Sequence, residues 1–277
     1  MENYLCVTCG TQYPASASPP ARCTICEDER QYVNPGGQEW TTLAELQGHH
    51  ANVFTTIATG ISTISTEPKV GIGERAHLLQ TAHGNVLWDC VAYLDENTVR
   101  ALNARGGVSS IAISHPHFYT TMIDWSRALG NVPIHLHADN RQWVMRPDSV
   151  VQFWEGDTLE LLPGITLLRC GGHFPGSTVL HWRGEQNGDE DSGALFTGDT
   201  IKITADPHWV TFMYSYPNDI PLDERAVRRI ADMAEPLPFS VLYDAWTVTR
   251  GDAKGVVQRS AERYIAHLRG EAKTGDQ

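Results

Sequence analysis

The sequence lacks long apolar runs: no hydrophobic stretch in its 277 residues approaches the roughly 18 residues that a membrane-spanning helix needs. Its start, Met1-Glu2-Asn3-Tyr4, has no basic segment followed by an apolar one, so we expect no secretory signal and a cytoplasmic location. Positive charge is also scarce, since 21 Lys and Arg residues face 33 Asp and Glu residues and the net charge is -12. This charge opposes binding to nucleic acid or to an anionic membrane, so the expected partner is a small-molecule substrate.

Cysteine is sparse, with six residues in the chain, but four of them are crowded near its start. Cys6 and Cys9 form one Cys-x-x-Cys pair, and Cys23 and Cys26 form a second. Four thiolates from two such pairs make a tetrahedral sulfur site that resembles zinc ribbons and rubredoxin-like knuckles. Disulfides would need an oxidising compartment. Zinc is therefore the expected occupant, with iron and redox-active thiol chemistry as open alternatives.

Residues 1–36 are expected to form this four-cysteine unit by themselves, followed by a main domain over residues 37–277. The segment is too short for a stable core, so its metal would supply the folding free energy. Asn34-Pro35-Gly36-Gly37 is a turn-rich boundary. Acidic residues outnumber Arg22 and Arg30 in the unit, which argues against nucleic-acid binding. A structural cap, a lid or a dimer contact is the expected role, and a homo-oligomer stays open.

Three predicted strands each end in side chains that bind metals. Residues 108–113 precede Ser114-His115-Pro116-His117, residues 165–169 precede Cys170-Gly171-Gly172-His173, and residues 194–197 precede Gly198-Asp199. Alternating β-branched and apolar residues favour the strands. Histidines at i and i+2 just past a strand end direct both imidazoles towards one point.

Three imidazoles and one carboxylate are a donor set that suits zinc, and also iron or manganese. A single histidine near a strand end is more often a capping or packing residue. The combination of His115, His117, His173 and Asp199 in this order favours a metal site over that alternative.

The pattern resembles the metallo-β-lactamase superfamily of hydrolases over about residues 50–270. That family has an H-x-H-x-D-H loop, a later single histidine, an aspartate after a strand and a last histidine near the C-terminus. By this resemblance His115, His117 and His173 match the three-histidine site, and Asp199 matches the carboxylate that bridges two metals. Asp89, in Gly84-Asn85-Val86-Leu87-Trp88-Asp89, matches a supporting acid. The resemblance implies a four-layer αβ/βα sandwich, the metallo-β-lactamase fold, with the four-cysteine unit added at the N-terminus.

The chain departs from the family pattern at the second metal. Tyr119 stands where the family has aspartate and Thr120 where it has the next histidine, and Asp244-Ala245-Trp246 replaces the last histidine. One zinc in the histidine site is therefore expected, unless Asp244 or another histidine serves as a substitute ligand.

The implied function is a metal-dependent hydrolase in which a zinc-bound hydroxide attacks an ester, thioester, lactone or phosphoester. Asp199 would complete the metal's coordination or accept the proton of the water. Tyr119 is the second catalytic candidate, through a hydrogen bond to that water or to the substrate, with packing under the loop as its alternative role. A non-catalytic scaffold with a degenerate metal site is the main rival. Redox chemistry similar to that of flavodiiron proteins is a weaker rival, because no flavin-binding domain is visible.

Four further residues are candidates for contacts with the substrate: His83, His137, His208 and Tyr214. His83 lies in a predicted hairpin turn, and His137 ends a predicted strand over residues 133–137. His208 and Tyr214 lie in an aromatic stretch, residues 202–221, that is predicted to be a long loop forming one wall of the pocket. Two features are predicted elsewhere: a hairpin of residues 150–154 with 158–161, and a polar tip at 187–192.

Overall fold

The computed structural model describes residues 1–184 and 193–271, which divide into two compact units, Met1–Glu155 and the chain from Gly156 onward. The predicted boundary after residue 36 stays a prediction. The polar tip predicted at 187–192 lies outside the described residues. Among the helices of the described ranges, none is long and apolar enough to cross a membrane.

The first unit is organised around a seven-stranded sheet. The strands of this unit are β1 Leu5–Cys6, β2 Trp40–Thr41, β3 Ala51–Ala58, β4 Ile61–Glu67, β5 Ala76–Leu79, β6 Val86–Trp88, β7 Ser110–Ala112, β8 Ile134–His137 and β9 Val151–Trp154. Strands β3 to β6 pair antiparallel in chain order, β6 to β9 pair parallel, and β1 pairs with β2 alone. Parallel strands end at one edge of a sheet, so Asp89, the His115 loop and His137 share that edge.

The α-helices of this unit are short, and two of the four have a side-chain cap. They are α1 Thr24–Glu27, α2 Leu43–Leu46, α3 Glu96–Asn103 and α4 Met122–Ala128, with 3₁₀ turns at Pro116–Phe118 and Ala138–Trp143. A capping box begins α2, because Glu45 N–H donates to Thr42 Oγ1 at 3.2 Å and Thr42 N–H donates to Glu45 Oε2 at 3.0 Å. Helix α4 begins at Met122, two residues after Thr120, whose φ of 34° is not helical.

The second unit contains a six-stranded sheet in the order β10-β11-β12-β13-β18-β19. The strands of this unit are β10 Thr158–Leu162, β11 Ile165–Arg169, β12 Thr178–Trp182, β13 Ala194–Phe196, β14 Lys202–Ile203, β15 Val210–Thr211, β16 Met213–Ser215, β17 Ile220–Pro221, β18 Val241–Tyr243 and β19 Val248–Arg250. Strands β11, β13 and β18 run in the same direction. Strand β12 lies between β11 and β13 and is antiparallel to both, and β13 pairs parallel with β18. The residues that follow them, His173, Asp199 and Asp244, therefore share one edge of this sheet.

Two helices, α5 Glu224–Ala234 and α6 Ala253–Leu268, cover this sheet. Asp223 caps α5 by accepting from Ala226 N–H at 2.9 Å. The buried residues of α5 are spaced by three and four along the helix, as its sequence predicts, and join residues of α6 and the strands in one core. That core is Val227, Ile230, Ala231, Ala234, Val256, Val257, Ala261 and Ile265 with Leu168, Val179, Leu195 and Leu242.

Two local predictions were wrong, and one strand was missed. Residues 150–154 and 158–161 do not form a hairpin, because β9 pairs with β8 and β10 pairs with β11. Strand β4, Ile61–Glu67, was not predicted. The segment 202–221 is not one long loop, because it contains the short strands β14 to β17.

Candidate metal centre

The loop after β7 carries His115 and His117, both buried. Asp89, which follows the neighbouring strand β6 with φ 63°, accepts the Ser114 N–H at Oδ1 at 2.7 Å. Ser114 Oγ lies 2.9 Å from His115 Nδ1. The carboxylate of Asp89 therefore fixes the backbone immediately before the first histidine, which is the supporting position that the sequence had suggested.

The orientation of the His173 imidazole is set by a glycine turn before it and by two backbone carbonyl groups. Gly172 has φ 81°, and a Cβ there would lie 2.9 Å from Leu222 Cδ1, so the turn before His173 needs glycine. His173 Nδ1 lies 2.8 Å from the Tyr214 carbonyl oxygen and 3.2 Å from that of Met213. A carbonyl only accepts, so Nδ1 carries the proton and Nε2 carries the lone pair that can bind a metal.

Asp199 follows β13 and is 4% exposed. Its Oδ2 lies 4.0 Å from His173 Nε2, and its backbone carbonyl accepts the Tyr216 hydroxyl at 3.0 Å. Burial, and next the nearby charge of Asp199, raise the pKa of Tyr216 well above its ordinary value, so the phenol stays a donor at neutral pH. Lys202 Nζ lies 5.3 Å from the centre of the Tyr216 ring, which places a positive charge in this region.

The four predicted ligands form one group. His115, His117, His173 and Asp199 each offer a ligand atom, these atoms all lie within 4.8 Å of one another, and all four residues are buried. Tetrahedral ligands bound to one zinc ion at about 2.0–2.2 Å are about 3.4 Å apart, so metal binding would draw these atoms together by up to about 1.4 Å. The donor set therefore fits a divalent transition metal.

The four cysteines near the start form a second group of the same kind. Cys6 Sγ lies 3.5 Å from Cys26 Sγ, and Cys9 Sγ lies 3.6 Å from Cys23 Sγ. A disulfide would need about 2.05 Å, whereas zinc–sulfur bonds of about 2.3 Å in a tetrahedron place sulfurs about 3.8 Å apart. The spacing therefore fits a four-thiolate metal site.

The positions that would serve a second metal are engaged otherwise. Asp244 accepts Ile203 N–H on Oδ2 at 2.8 Å, and Trp246 N–H and Thr247 N–H on Oδ1 at 2.8 and 2.6 Å. Thr120 Oγ1 donates to the Cys90 carbonyl at 3.2 Å. Burial raises the pKa of Tyr119 above its ordinary value, while a hydrogen bond with Asn140 lowers it in part.

Comparison with known proteins identifies a relative along nearly the whole chain. No protein-family model matches the sequence. The uncharacterized protein YmaE of Bacillus subtilis (strain 168) is 47% identical over 274 residues, which cover 98% of this chain and 98% of that protein. The chain belongs to the YmaE family.

Solved structures similar to this YmaE-family chain are metallo-β-lactamases. VMB-1 is 12% identical with a TM-score of 0.57 and covers 78% of this chain and 98% of its own. DIM-1 is 12% identical with a TM-score of 0.56 and coverage of 76% and 96%. FIM-1 from Pseudomonas aeruginosa, in its mono-zinc form, is 14% identical with a TM-score of 0.54 and coverage of 77% and 96%. The predicted metallo-β-lactamase fold is therefore confirmed.

The candidate substrate residues have local partners in the YmaE-family chain, and their role stays a prediction. His83 is exposed in a turn held by its N–H bond to Thr81 Oγ1 at 3.1 Å. His137 Nδ1 accepts Asp139 N–H at 3.2 Å and so caps a 3₁₀ turn. Exposed His208 is 2.7 Å from Asp206 Oδ1. Tyr214 contributes its carbonyl to His173 and packs against the helical core.

Sequence reasoning overlooked two contributors to the site of this YmaE-family protein. These are Tyr216, which lies in the aromatic stretch 202–221 but was not among the candidates, and Met213, whose carbonyl group was not considered. Tyr216 acts through its hydroxyl, which donates to the Asp199 carbonyl, and Met213 acts through its own carbonyl, and hydrogen bonds to backbone carbonyls have no signature in the sequence.

Proposed function

We propose that this protein is a metal-dependent hydrolase with one metal ion held by His115, His117 and His173, which leaves a fourth position open for water beside Asp199. The grouping of these four buried side chains supports the proposal. When bound there, zinc lowers the pKa of a coordinated water towards about 7 and polarises a carbonyl or phosphoryl oxygen.

A single metal is favoured over two. Both Asp244 oxygens accept backbone N–H groups, and the Thr120 hydroxyl donates to a carbonyl. Recruiting either side chain as a ligand would leave buried polar groups without partners, which costs about 1–3 kcal/mol each. FIM-1, described in a mono-zinc form, has the same fold.

The chain's own residues have distinct proposed roles. Asp199 accepts the proton of the attacking water, as a buried carboxylate beside the histidines. Tyr119, neutral because burial raises its pKa, donates a hydrogen bond to the substrate oxygen. Lys202 attracts anionic substrates. An ester, thioester, lactone or phosphoester would meet these requirements, and the substrate is a small molecule because the net charge of -12 opposes polyanions.

For the four-cysteine site we propose a structural zinc ion. All four thiols are buried, and four protein ligands leave no open position for a substrate. Iron would make the protein red, whereas zinc would leave it colourless, so an absorption spectrum separates these two metals.

Elemental analysis of the full chain, with His117→Ala as the variant and His49→Ala as its exposed control, tests the metal assignment. We expect about two equivalents in the wild type and the control, and about one in His117→Ala. Hydrolysis across a panel of esters, thioesters, lactones and phosphoesters should be lost in His117→Ala, which lacks the second equivalent of metal.

One equivalent in all three proteins would contradict the hydrolase proposal and favour the non-catalytic scaffold. The replacement of two family ligands by Tyr119 and Thr120 is the observation that keeps this scaffold as the second candidate. Full metal content with no turnover across the panel would also favour it.

A further inference from the structure

The first cysteine knuckle packs backbone to backbone against the first unit's main chain. Gly10 has φ 76°, and a Cβ there would lie 2.8 Å from Ala92 Cβ and 3.5 Å from Thr120 Cγ2. A Cβ at Gly71 would lie 2.9 Å from Gly10 N. No side chain fits between these backbones. The knuckle therefore lies directly on the segment that follows His117.

Gln12, just after this knuckle, bonds to that segment. Its backbone N–H donates to the Thr120 carbonyl at 3.2 Å, and its Nε2 donates to Asp124 Oδ2 at 2.7 Å. Arg146 donates to Gln12 Oε1 and, at 2.7 Å, to Asp124 Oδ1. Gln12 is only 3% exposed, so its side chain relies on these partners rather than on water.

Thr120 occupies the point where the histidine loop turns into α4. Its φ of 34° is uncommon for a residue with a branched side chain. Such a conformation persists only when the surroundings impose it. Two hydrogen bonds hold Thr120 here: the Gln12 N–H donates to the Thr120 carbonyl, and the Thr120 hydroxyl donates to the Cys90 carbonyl. The backbone at Thr120 sets where His117, three residues earlier, is held.

The position of Gln12 depends in turn on the cysteine site. Gly10 N–H donates to the Cys6 carbonyl at 2.8 Å, and Cys6 N–H donates to the Thr11 carbonyl at 3.0 Å. These turns place Cys6 and Cys9 in the four-thiolate group, and a segment of this size needs its metal to hold its shape.

We propose that Gln12 is a positioning residue that couples the four-cysteine site to the histidine loop. A metal in the cysteine site holds Gln12 on Thr120 and Asp124, and the loop is thereby kept in the conformation that presents His117. This inference rests on the proposed function for its two metal sites. The coupling is reciprocal: a metal in the histidine site also stabilises the knuckle.

Gln12→Met in the full chain tests this coupling, because it keeps the length of the side chain and removes its polar atoms. Gln47→Met, at an exposed position in the same unit, is the matched control. Asp124→Asn alters the same bonds from the α4 side and is the second variant should Gln12→Met fail to fold. Amide hydrogen exchange of residues 117–124 and the zinc affinity of each site, by competition with a chelator, are measured.

We expect faster exchange at 117–124 and about tenfold weaker zinc binding at the histidine site in Gln12→Met and in Asp124→Asn, with the cysteine site still filled. The control should match the wild type. Equal exchange and equal affinity in Gln12→Met and Gln47→Met would overturn the coupling and leave the proposed function intact. If the wild type binds zinc only at its cysteines while exchange still rises in Gln12→Met, the coupling stands and the proposed hydrolase fails.

Discussion

At the scale of single residues, the candidate ligands are oriented by hydrogen bonds with neighbouring side chains and backbone carbonyls. His173 is held by the Tyr214 carbonyl, and the residue before His115 is held by Asp89. A hydrogen bond to one imidazole nitrogen fixes which nitrogen is available to the metal. The same residues are therefore sensitive both to direct substitution and to changes in their supports.

His173→Ala should release the metal of the histidine site and leave the cysteine site filled. Loss of an imidazole removes a direct ligand, so we expect zinc affinity there to fall by more than about a hundredfold. His208→Ala removes an exposed histidine bonded to Asp206 and is the control. Zinc retention by His173→Ala equal to that of His208→Ala, in a chelator competition, would contradict the assignment.

Asp89→Ala should destabilise the fold, because the buried Ser114 N–H loses its acceptor and alanine must adopt φ 63°. The two effects together amount to about 2–4 kcal/mol in the free energy of unfolding. Asp219→Ala has a similar φ of 54° at an exposed position and tests the backbone effect alone, at about 1 kcal/mol. Urea unfolding of both variants gives the difference, and equal losses would mean that the carboxylate contributes nothing.

At the scale of elements, strands and helices with clear periodicity could be predicted from the sequence. The strands predicted before the candidate ligands, at residues 108–113, 165–169 and 194–197, match β7, β11 and β13 to within two residues at each end. Strand β4 was missed because its burial comes from both neighbours, β3 and β5, and not from an apolar composition. The hairpin of β9 with β10 was wrong because local turn chemistry does not record which sheet a strand joins.

Gly172→Ala should destabilise the turn that leads from β11 to His173. A Cβ would lie 2.9 Å from Leu222 Cδ1 and 3.1 Å from Ile230 Cδ1, so the methyl group presses on Ile230 in α5 and on Leu222 just before that helix. Gly164→Ala is a matched control, because its φ of 82° is nearly that of Gly172, at 81°, and nothing lies within 4 Å of its Cβ.

We expect a loss of about 1 kcal/mol for Gly164→Ala and about 2–4 kcal/mol for Gly172→Ala in thermal or urea unfolding. Zinc affinity at the histidine site should fall only in Gly172→Ala, since His173 follows that turn. Identical losses in both variants would show that the backbone conformation alone matters and that Leu222 yields to the methyl group.

At the scale of the whole molecule, the grouping of the four candidate ligands could be predicted from the sequence, and the residues that support them could not. His115, His117, His173 and Asp199 each follow a strand and belong to residue types that bind metals. Gln12 is a polar residue in a short segment, and its partners Asp124 and Arg146 are 112 and 134 positions away. No local pattern connects residues at such separations, so only the fold shows that Gln12 bonds to Asp124 and to Arg146.

The stability of the whole chain should fall in acid partly because of one buried histidine. Burial in β5, with the charge of Arg75 as a smaller cause, lowers the pKa of His77 to about 3. In the unfolded chain a histidine has a pKa near 6.5, so between these values the unfolded state binds a proton that the folded state does not. The stability that this group contributes is therefore complete above about pH 6.5 and is lost as the pH falls towards 3.

His77→Gln removes this dependence, whatever its effect on stability at neutral pH. Between pH 6 and pH 4 we expect the free energy of unfolding of His77→Gln to fall less steeply than that of the wild type. The two slopes should differ by about 1.4 kcal/mol per pH unit. Release of metals in acid affects both proteins equally and cancels in the difference. His49→Gln, at an exposed position, should keep the wild-type slope. Urea unfolding at several pH values decides the matter, since parallel curves for all three proteins would mean that His77 is protonated in the folded state.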